Sequence, residues 1–174
     1  MTQVSGRKSL RLPNYDYCTL GAYFVTICAD QRLHVFDDAI LHDITMQIWL
    51  ELPQRFNSVD LDAFVVMPDH IHGIVWLRAG MSAEQGDSAH TSAGVSLIQV
   101  VRAFKSLIAT RWLEWLREHA PERSAKIWQS GFYERIIRDD AELNAIRQYI
   151  RDNPRRWAER HDNLAALLHK MTPT

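Results

Sequence analysis

The 174-residue sequence contains only two cysteines, Cys18 and Cys28. They do not form a Cys-x-x-Cys pair, and so few thiols are typical of a protein of the reducing cytosol. No apolar run approaches the roughly 20 residues that a membrane-spanning helix requires. The basic N-terminus is not followed by the apolar segment of a secretory signal. We therefore expect a cytoplasmic protein without a membrane partner.

The composition is that of a packed protein. Hydrophobic residues make up 47% of the chain, which also contains six tryptophans. A chain of this length can bury a sizeable core within one domain. We therefore expect a single domain over residues 1–174. Within it we distinguish a basic arm (1–20), a flexible polar loop (78–94) and a C-terminal extension (155–174).

The net charge of −1 by itself argues against a polyanionic partner, but the charges are unevenly distributed. Residues 37–90 hold nine acidic and two basic residues, whereas residues 95–138 hold eight basic and four acidic ones. Such asymmetry favours a polyanion-binding face, although ordinary surface patchiness would give a similar count. The candidate phosphate contacts lie on the arm and on a helix of the second half: Arg7, Lys8, Arg11, Arg102, Lys105 and Arg111.

A predicted hairpin carries the first candidate site. Residues 64–67 and 70–77 are apolar runs typical of β-strands, and Pro68-Asp69 lies between them as a turn. Because side chains alternate along a strand, His70 and His72 point to the same face, roughly 6 to 7 Å apart. Two such imidazoles can hold one metal ion or one phosphate. Two structural histidines with hydrogen-bond partners remain the alternative.

The remaining elements follow in an order that predicts the fold class. The pattern is β-α-β-β-α-β with extra C-terminal helices, which is an α+β, ferredoxin-like antiparallel sheet with helices on one face. Strands one and three are central in that topology. The predicted elements are a strand at 21–29, a helix from residue 37 or 38 to about 56, the hairpin at 61–77, a helix capped by Ser96 to about 119, a fourth strand within 127–138, a helix from residue 139 or 140 to 153 ended by Pro154, and a short helix at 163–170.

The last predicted helix carries the second candidate site. Tyr149 and Asn153 are four residues apart and share one helical face. A phenol is a competent nucleophile once its charge is stabilised, and an amide oxygen is a suitable hard ligand beside imidazoles. The alternative is a core tyrosine and a helix-terminal asparagine. Tyr133, in the fourth strand, is the rival nucleophile, although an aromatic residue there can also pack on the sheet or stack on a base.

Several short motifs, in this order along nearly the whole chain, resemble the REP-associated tyrosine transposases. These are single-tyrosine members of the HUH (His-hydrophobic-His) superfamily, related to small insertion-sequence transposases. The shared segments are Tyr15-Asp16-Tyr17 with Gly21 to Thr26, Val66 to His72, Phe104-Lys105-Ser106, Ile127-Trp128-Gln129 with Phe132-Tyr133, Ile137-Arg138-Asp139, and Tyr149 to Pro154.

The resemblance implies a metal-dependent enzyme that cleaves and rejoins single-stranded DNA at hairpin-forming palindromic repeats through a 5′-phosphotyrosine intermediate. By position, it implies that His70 and His72 bind Mg²⁺ or Mn²⁺ and that Tyr149 is the nucleophile. Asn153 occupies the place of a third metal ligand, where the insertion-sequence relatives tend to use Gln. The chain lacks a Gly-x-x-x-x-Gly-Lys motif, and this chemistry requires no energy cofactor. Those relatives act as dimers, whereas the longer C-terminal part here favours a monomer.

Two other classes of protein remain open. One is a nucleic-acid-binding module without catalytic activity, of which an inactive, domesticated transposase would be a form. The other is a hydrolase that uses His70, His72 and a metal ion on small phosphoesters. A DNA cleavage assay on hairpin oligonucleotides separates all three.

Overall fold

The structure is a computed structural model that describes residues 15–79 and 94–171, with side chains to residue 160. Most of the predicted arm, including Arg7, Lys8 and Arg11, lies outside the described residues, as does most of the predicted loop at 78–94. The elements are β1 (Gly21–Cys28), α1 (Ala39–Arg55), β2 (Val59–Met67), β3 (His70–Leu77), α2 (Leu97–His119), β4 (Tyr133–Ile137) and α3 (Asp140–Met171).

The four strands form one antiparallel sheet in the order β2-β3-β1-β4. The central position of β1 and β3 and the α+β class are as predicted from the sequence. Pro68 and Asp69 form the turn between β2 and β3, because proline lacks the amide hydrogen that a strand would use. The register pairs Thr26 of β1 with His72 of β3, so these two side chains share a face.

One face of the sheet is covered by α1 and α2. Odd-numbered residues of β1 and β3, such as Tyr23 and Val75, pack there against apolar side chains of both helices, such as Ile48 and Phe104. Each helix begins at a predicted cap. The Asp38 carboxylate accepts hydrogen bonds from two amides of the first turn of α1, and Ser96 forms a capping box with Gln99 at the start of α2.

The other face, which carries the even-numbered residues of β1 and β3, is covered by α3. Ile150 and Leu143 of this helix pack against Ala22 and Ile74 of the sheet. The two helices of the β-α-β-β-α-β unit therefore lie on one face, as predicted, and the extra C-terminal helix lies on the opposite face. The histidines of β3 are on the α3 face.

The predicted end of the last helix at Pro154 is wrong. A single helix runs through Asp140–Met171 with Pro154 inside it, where two separate helices were predicted. An internal proline removes one backbone hydrogen bond and crowds the preceding turn, at a cost of roughly 3 kcal/mol. Tertiary contacts beyond the proline favour continuation, since the Trp157 ring packs against His34 and His70. Pro53 likewise does not end α1, which continues to Arg55.

Along the part of the chain that the structure describes, no helix combines the length and the hydropathy that crossing a bilayer would require. Cys28 is buried in β1, and both cysteines are free thiols.

Candidate metal and tyrosine site

The two histidines of β3 converge as the strand alternation predicted. His70 and His72 are 7% and 4% exposed. Their Nε2 atoms lie 3.1 Å apart, and the two rings meet edge to face with centroids 4.6 Å apart. Both side chains stand on the sheet face that packs against α3. Two buried imidazoles thus direct one nitrogen each to a common point.

The other nitrogen of each ring is held by a neighbouring side chain. Nδ1 of His70 donates to the carboxylate of Asp69, which leaves its Nε2 lone pair directed at the common point. Nδ1 of His72 lies 2.8 Å from the Thr26 hydroxyl. Because a hydroxyl can donate or accept, Thr26 accommodates either neutral tautomer of His72. These contacts orient the two rings, as hydrogen-bond partners on the second ring nitrogen do for metal-binding histidines.

Both imidazoles are held in the neutral form. Burial lowers the pKa of His70, against the opposing effect of the Asp69 carboxylate. Burial, and then the neighbouring His70, lowers the pKa of His72 to about 3. Neutral imidazole is the form that binds metal ions, so no proton has to be displaced from this pair at neutral pH.

The geometry of the pair fits a divalent cation. Two neighbouring ligands of an octahedral ion at about 2.1 Å are about 3.0 Å apart, which agrees with the 3.1 Å between the Nε2 atoms. Two lone pairs this close repel each other unless a proton or a cation lies between them. The described residues contain no group of three or more His, Cys, Asp or Glu side chains that could hold a metal ion. Among the described residues, the candidates for a further ligand are therefore amide oxygens.

Tyr149 lies directly beside this pair. Its hydroxyl is 3.3 Å from Nε2 of His72, although the two residues are 77 positions apart. Phe24 of β1 holds both rings in place, stacking on His72 with centroids 5.1 Å apart and meeting Tyr149 edge to face at 6.0 Å. Tyr149 is 39% exposed, so its side chain is partly open to solvent.

Asn153 lies on the same helix, one turn beyond Tyr149, and is 3% exposed. One further turn along, the Trp157 ring has its centroid 6.0 Å from that of His70. Tyr149 lies at His72 and Trp157 lies at His70. Asn153 is midway between these two residues on the helix, and it therefore faces the histidine pair. This position makes the Asn153 amide a candidate third ligand. An amide oxygen is a ligand that hard cations accept.

An ion pair fixes α3 against the edge strand of the sheet. The Arg147 guanidinium donates to both carboxylate oxygens of Asp62 in β2, at 2.9 and 2.6 Å. The Trp76 indole donates to the same carboxylate at 3.3 Å. The hydrogen bonds from Arg147 have the largest effect on the pKa of the Asp62 carboxyl and lower it. Burial raises this pKa and the other donors lower it, so that the overall shift is downward. Arg147 is two residues before Tyr149, so this pair anchors α3 close to the tyrosine.

The candidate phosphate contacts of α2 are not near the histidines. Arg102 is exposed, whereas Lys105 donates to the carbonyl oxygens of Gln129 and Gly131 at 2.8 and 2.9 Å. Arg111 donates to both carboxylate oxygens of Glu51 in α1. Helix α2 packs on the sheet face opposite to α3. The DNA-binding role of Arg102, Lys105 and Arg111 stays a prediction, and any such contact lies apart from the tyrosine.

The rival nucleophile occupies the same face of the sheet. Tyr133 of β4 pairs with Thr26, which in turn pairs with His72, so the three residues form one row across the strands. Two strand spacings, about 9.6 Å, separate Tyr133 from His72 at the backbone. Tyr133 is 45% exposed. It is on the right face but two strands from the histidine whose Nε2 contacts the Tyr149 hydroxyl.

Sequence reasoning missed four residues of this site. Asp69 directly precedes His70, so its proximity could have been inferred. Phe24 and Thr26 share a strand face, but only the register of β1 against β3 places them at His72. Trp157 lies beyond Pro154, where the helix was predicted to end. The long-range contacts of the site thus depend on pairings that local patterns do not specify.

Comparisons with known proteins show which fold this chain shares. No family model matches the sequence. The structure of a REP-associated tyrosine transposase bound to a REP hairpin matches with a TM-score of 0.57 and 20% identity, over 84% of this chain and 73% of that chain. A putative transposase from Deinococcus radiodurans R1 gives a TM-score of 0.46 and 20% identity, over 82% of this chain and 95% of that one. The chain has the fold of the REP-associated tyrosine transposases. The resemblance seen in the sequence is thus confirmed for the fold.

A sequence relative is also present in Haemophilus influenzae. This protein, described as uncharacterized, is 31% identical over 178 residues, which cover 90% of this chain and 92% of the relative. The chain belongs to the same family as that Haemophilus influenzae protein.

Proposed function

We propose that this chain is a single-tyrosine transposase that cleaves and rejoins single-stranded, hairpin-forming repeat DNA, with Mg²⁺ or Mn²⁺ as cofactor. The observation that carries the proposal is the 3.3 Å contact between the Tyr149 hydroxyl and Nε2 of His72. A nucleophile is thereby adjacent to a pair of neutral imidazoles that fit a divalent cation. The REP hairpin bound to the structural neighbour supports hairpin DNA as the substrate class.

In the proposed reaction, the Tyr149 phenol oxygen attacks the phosphorus of a phosphodiester. A bond forms between the tyrosine oxygen and the phosphate at the 5′ end of the fragment on the 3′ side of the break, and the bond from that phosphate to the 3′ oxygen of the other fragment breaks. The phenol proton passes to solvent, and the 3′ oxygen leaves as a hydroxyl after taking up a proton. Because the phosphotyrosine keeps the energy of the phosphodiester, a second 3′-hydroxyl can reverse the step and join two strands.

His70, His72 and the Asn153 amide would hold the cation. When bound, it supplies polarisation of the scissile phosphate and stabilisation of the developing charge. The protein contributes further positive charge at this point. Arg32 reaches Asp69 beside His70 at 3.4 Å, and Arg160 lies over the Trp157 ring at 5.7 Å. Arg32 already has a carboxylate partner, so Arg160 is the better candidate to favour a phosphate next to the pair.

The first prediction concerns the nucleophile. Tyr149→Phe removes a single hydroxyl from a half-exposed ring, so the fold and DNA binding should survive. The covalent protein–DNA adduct should disappear, because no other described phenol lies at the histidine pair. The measurement is a denaturing gel of protein incubated with Mn²⁺ and hairpin oligonucleotides taken from palindromic repeats of the source genome.

Tyr133→Phe is the matched control, since it removes the same group from the same face of the sheet. It should form adduct like the unaltered protein. Chelation of divalent ions, or His70→Ala, should abolish the adduct without unfolding the chain. Adduct formed by the Tyr149→Phe protein would show that α3 does not carry the nucleophile. Adduct formed equally well in chelator would overturn the metal requirement.

A further inference from the structure

A polar pocket lies beside the candidate site and has no role in the proposed chemistry. Its volume is about 310 Å³. It is formed where the start of α1 meets the middle of α2 and the segment that leads to β4. The lining residues are His34, Val35, Asp38, Leu41, Trp112, Arg123, Ser124, Lys126 and Ile127.

A single aromatic ring connects this pocket to the histidine pair. The Trp157 ring of α3 contacts His70 on one side, with centroids 6.0 Å apart. On the other side it contacts His34, a pocket-lining residue, at 5.5 Å. The rings of His70, Trp157 and His34 thus form a row of contacts from the histidine pair to the lining of the pocket.

The interior of the pocket is suited to a flat, partly polar group. Leu41, Trp112 and Ile127 are buried and form an apolar floor. The Arg123 guanidinium lies over the Trp112 ring at 5.1 Å. A planar cation stacked on an indole and an apolar floor form the kind of surface on which nucleobases stack.

The charges of the pocket are already paired within the protein. Arg123 donates to Asp38 at 2.8 Å, and Lys126 lies 2.9 Å from Asp30. These pairs leave the pocket close to neutral while keeping its hydrogen-bond donors and acceptors. A phosphate would have to compete with both carboxylates. An uncharged group with donors and acceptors on its edge, such as a nucleobase, fits this arrangement better.

We propose that this pocket binds one unpaired nucleobase of the DNA strand that is held at Tyr149. The inference rests on the proposed function, which supplies the strand. The volume is at the lower end of the range for ligand pockets, which suits a single base better than a folded nucleic-acid element. Asp38 also caps α1, so the polar edge of the pocket is held rigid before any ligand arrives.

The test is a binding scan with hairpin oligonucleotides that carry a short single-stranded flank, each lacking the base at one flank position. Tyr149→Phe protein is used so that no strand is cleaved. Loss of the base that occupies the pocket should weaken binding by about fivefold to a hundredfold, the effect of losing one stacked base. Loss of other flank bases should have smaller effects. This scan requires no change to the pocket.

Ser124→Phe, at an exposed position of the lining, should then fill the pocket. It should weaken binding of the intact oligonucleotide by a similar factor and remove the penalty at the sensitive position. Ser130→Phe is the matched control, at an exposed position outside the pocket. The Ser130→Phe protein should give the same binding scan as the protein with an unchanged pocket. Circular dichroism checks that both variants fold.

The pocket proposal and the proposed function fail in different ways. A flat scan, or a Ser124→Phe protein that binds like Ser130→Phe, overturns the pocket proposal even if Tyr149 forms its adduct. A sensitive position abolished by Ser124→Phe supports the pocket even if no adduct ever forms, in which case only the catalytic proposal is lost. Absence of DNA binding overturns both.

Discussion

His70 and His72 each have one imidazole nitrogen held by a neighbouring side chain, which leaves the other nitrogen of each ring as the candidate ligand. Asp69 and Thr26 contact the Nδ1 atoms, the two Nε2 atoms lie 3.1 Å apart, and Nε2 of His72 contacts the tyrosine hydroxyl. A buried imidazole that stays neutral makes stability depend on pH, because it binds a proton in the unfolded chain at pH values where it does not in the folded chain.

The direction of that dependence can be predicted for the metal-free protein. The pKa of His72 is about 3 when folded, against an ordinary value of 6.5, and the pKa of His70 is also lowered. The contribution of the two neutral histidines to stability is therefore complete above pH 6.5, and it is lost as the pH falls towards their pKa values in the folded protein. Urea unfolding at several values between about pH 5 and 6.5 should show stability rising with pH, by at most about 1.4 kcal/mol per unit for each histidine.

His72→Ala should reduce the slope of the unfolding free energy against pH. His119→Ala, at an exposed position, should leave that slope unchanged. The pKa of the Asp62 carboxyl is lowered from 3.8, so its contribution is lost at lower pH and does not enter this window. An unchanged slope in His72→Ala would contradict the explanation from burial.

Strand β3 divides its residues between two tasks at the scale of the element. Its even-numbered positions, His70 and His72, face α3 and the site. Its odd-numbered positions face α1 and α2, and Gly73 is among them. The Trp49 ring stacks on Phe64 at 4.2 Å directly over this glycine. The same strand therefore supports the core immediately next to the candidate ligands.

Gly73→Ala should destabilise the protein. A Cβ atom at this position would lie 2.5 Å from Cη2 of Trp49 and 3.0 Å from Cδ2 of Phe64. Crowding of this kind in a packed core costs about 1–3 kcal/mol. Urea denaturation measures the loss, and Trp49→Phe in the same background should recover part of it by removing the clashing ring. An alanine variant as stable as the unaltered protein would refute this packing argument.

The site as a whole exists only where α3 docks on the sheet. Residues from β1, β3 and α3 meet there, and the Arg147–Asp62 pair holds the helix near Tyr149. The core between the sheet, α1 and α2 is on the opposite face and does not require this pair. We therefore expect the core to survive a change that disturbs the docking of α3.

Arg147→Met should slow adduct formation by about tenfold to a hundredfold, because small misplacements of a reacting group have effects of this size. The thermal unfolding midpoint of the Arg147→Met protein should stay close to that of the unaltered protein. Arg155→Met is the matched control on the same helix, since its partner Glu159 is an exposed neighbour four residues away. Equal adduct rates in the two variants would remove Arg147 from the positioning of Tyr149.

Local pattern predicted much of this architecture. Period-two alternation placed His70 and His72 on one face, caps at Asp38 and Ser96 began two helices, and the order of elements yielded the sheet topology. These features depend on residues close together in the chain. The end of the last helix was mispredicted at Pro154, because the Trp157 contacts that favour its continuation come from β3 and from the segment before α1.

The sequence by itself therefore determined the strand that carries the histidine pair, the helix face shared by Tyr149 and Asn153, and the fold class. Only the tertiary structure decided that this face lies on the histidines and that Thr26 and Phe24 support His72. It also placed Lys105 and Arg111 on the opposite side, bound to protein partners. The physical reason is that strand register and helix docking depend on contacts between residues far apart in the chain, which local periodicity does not encode.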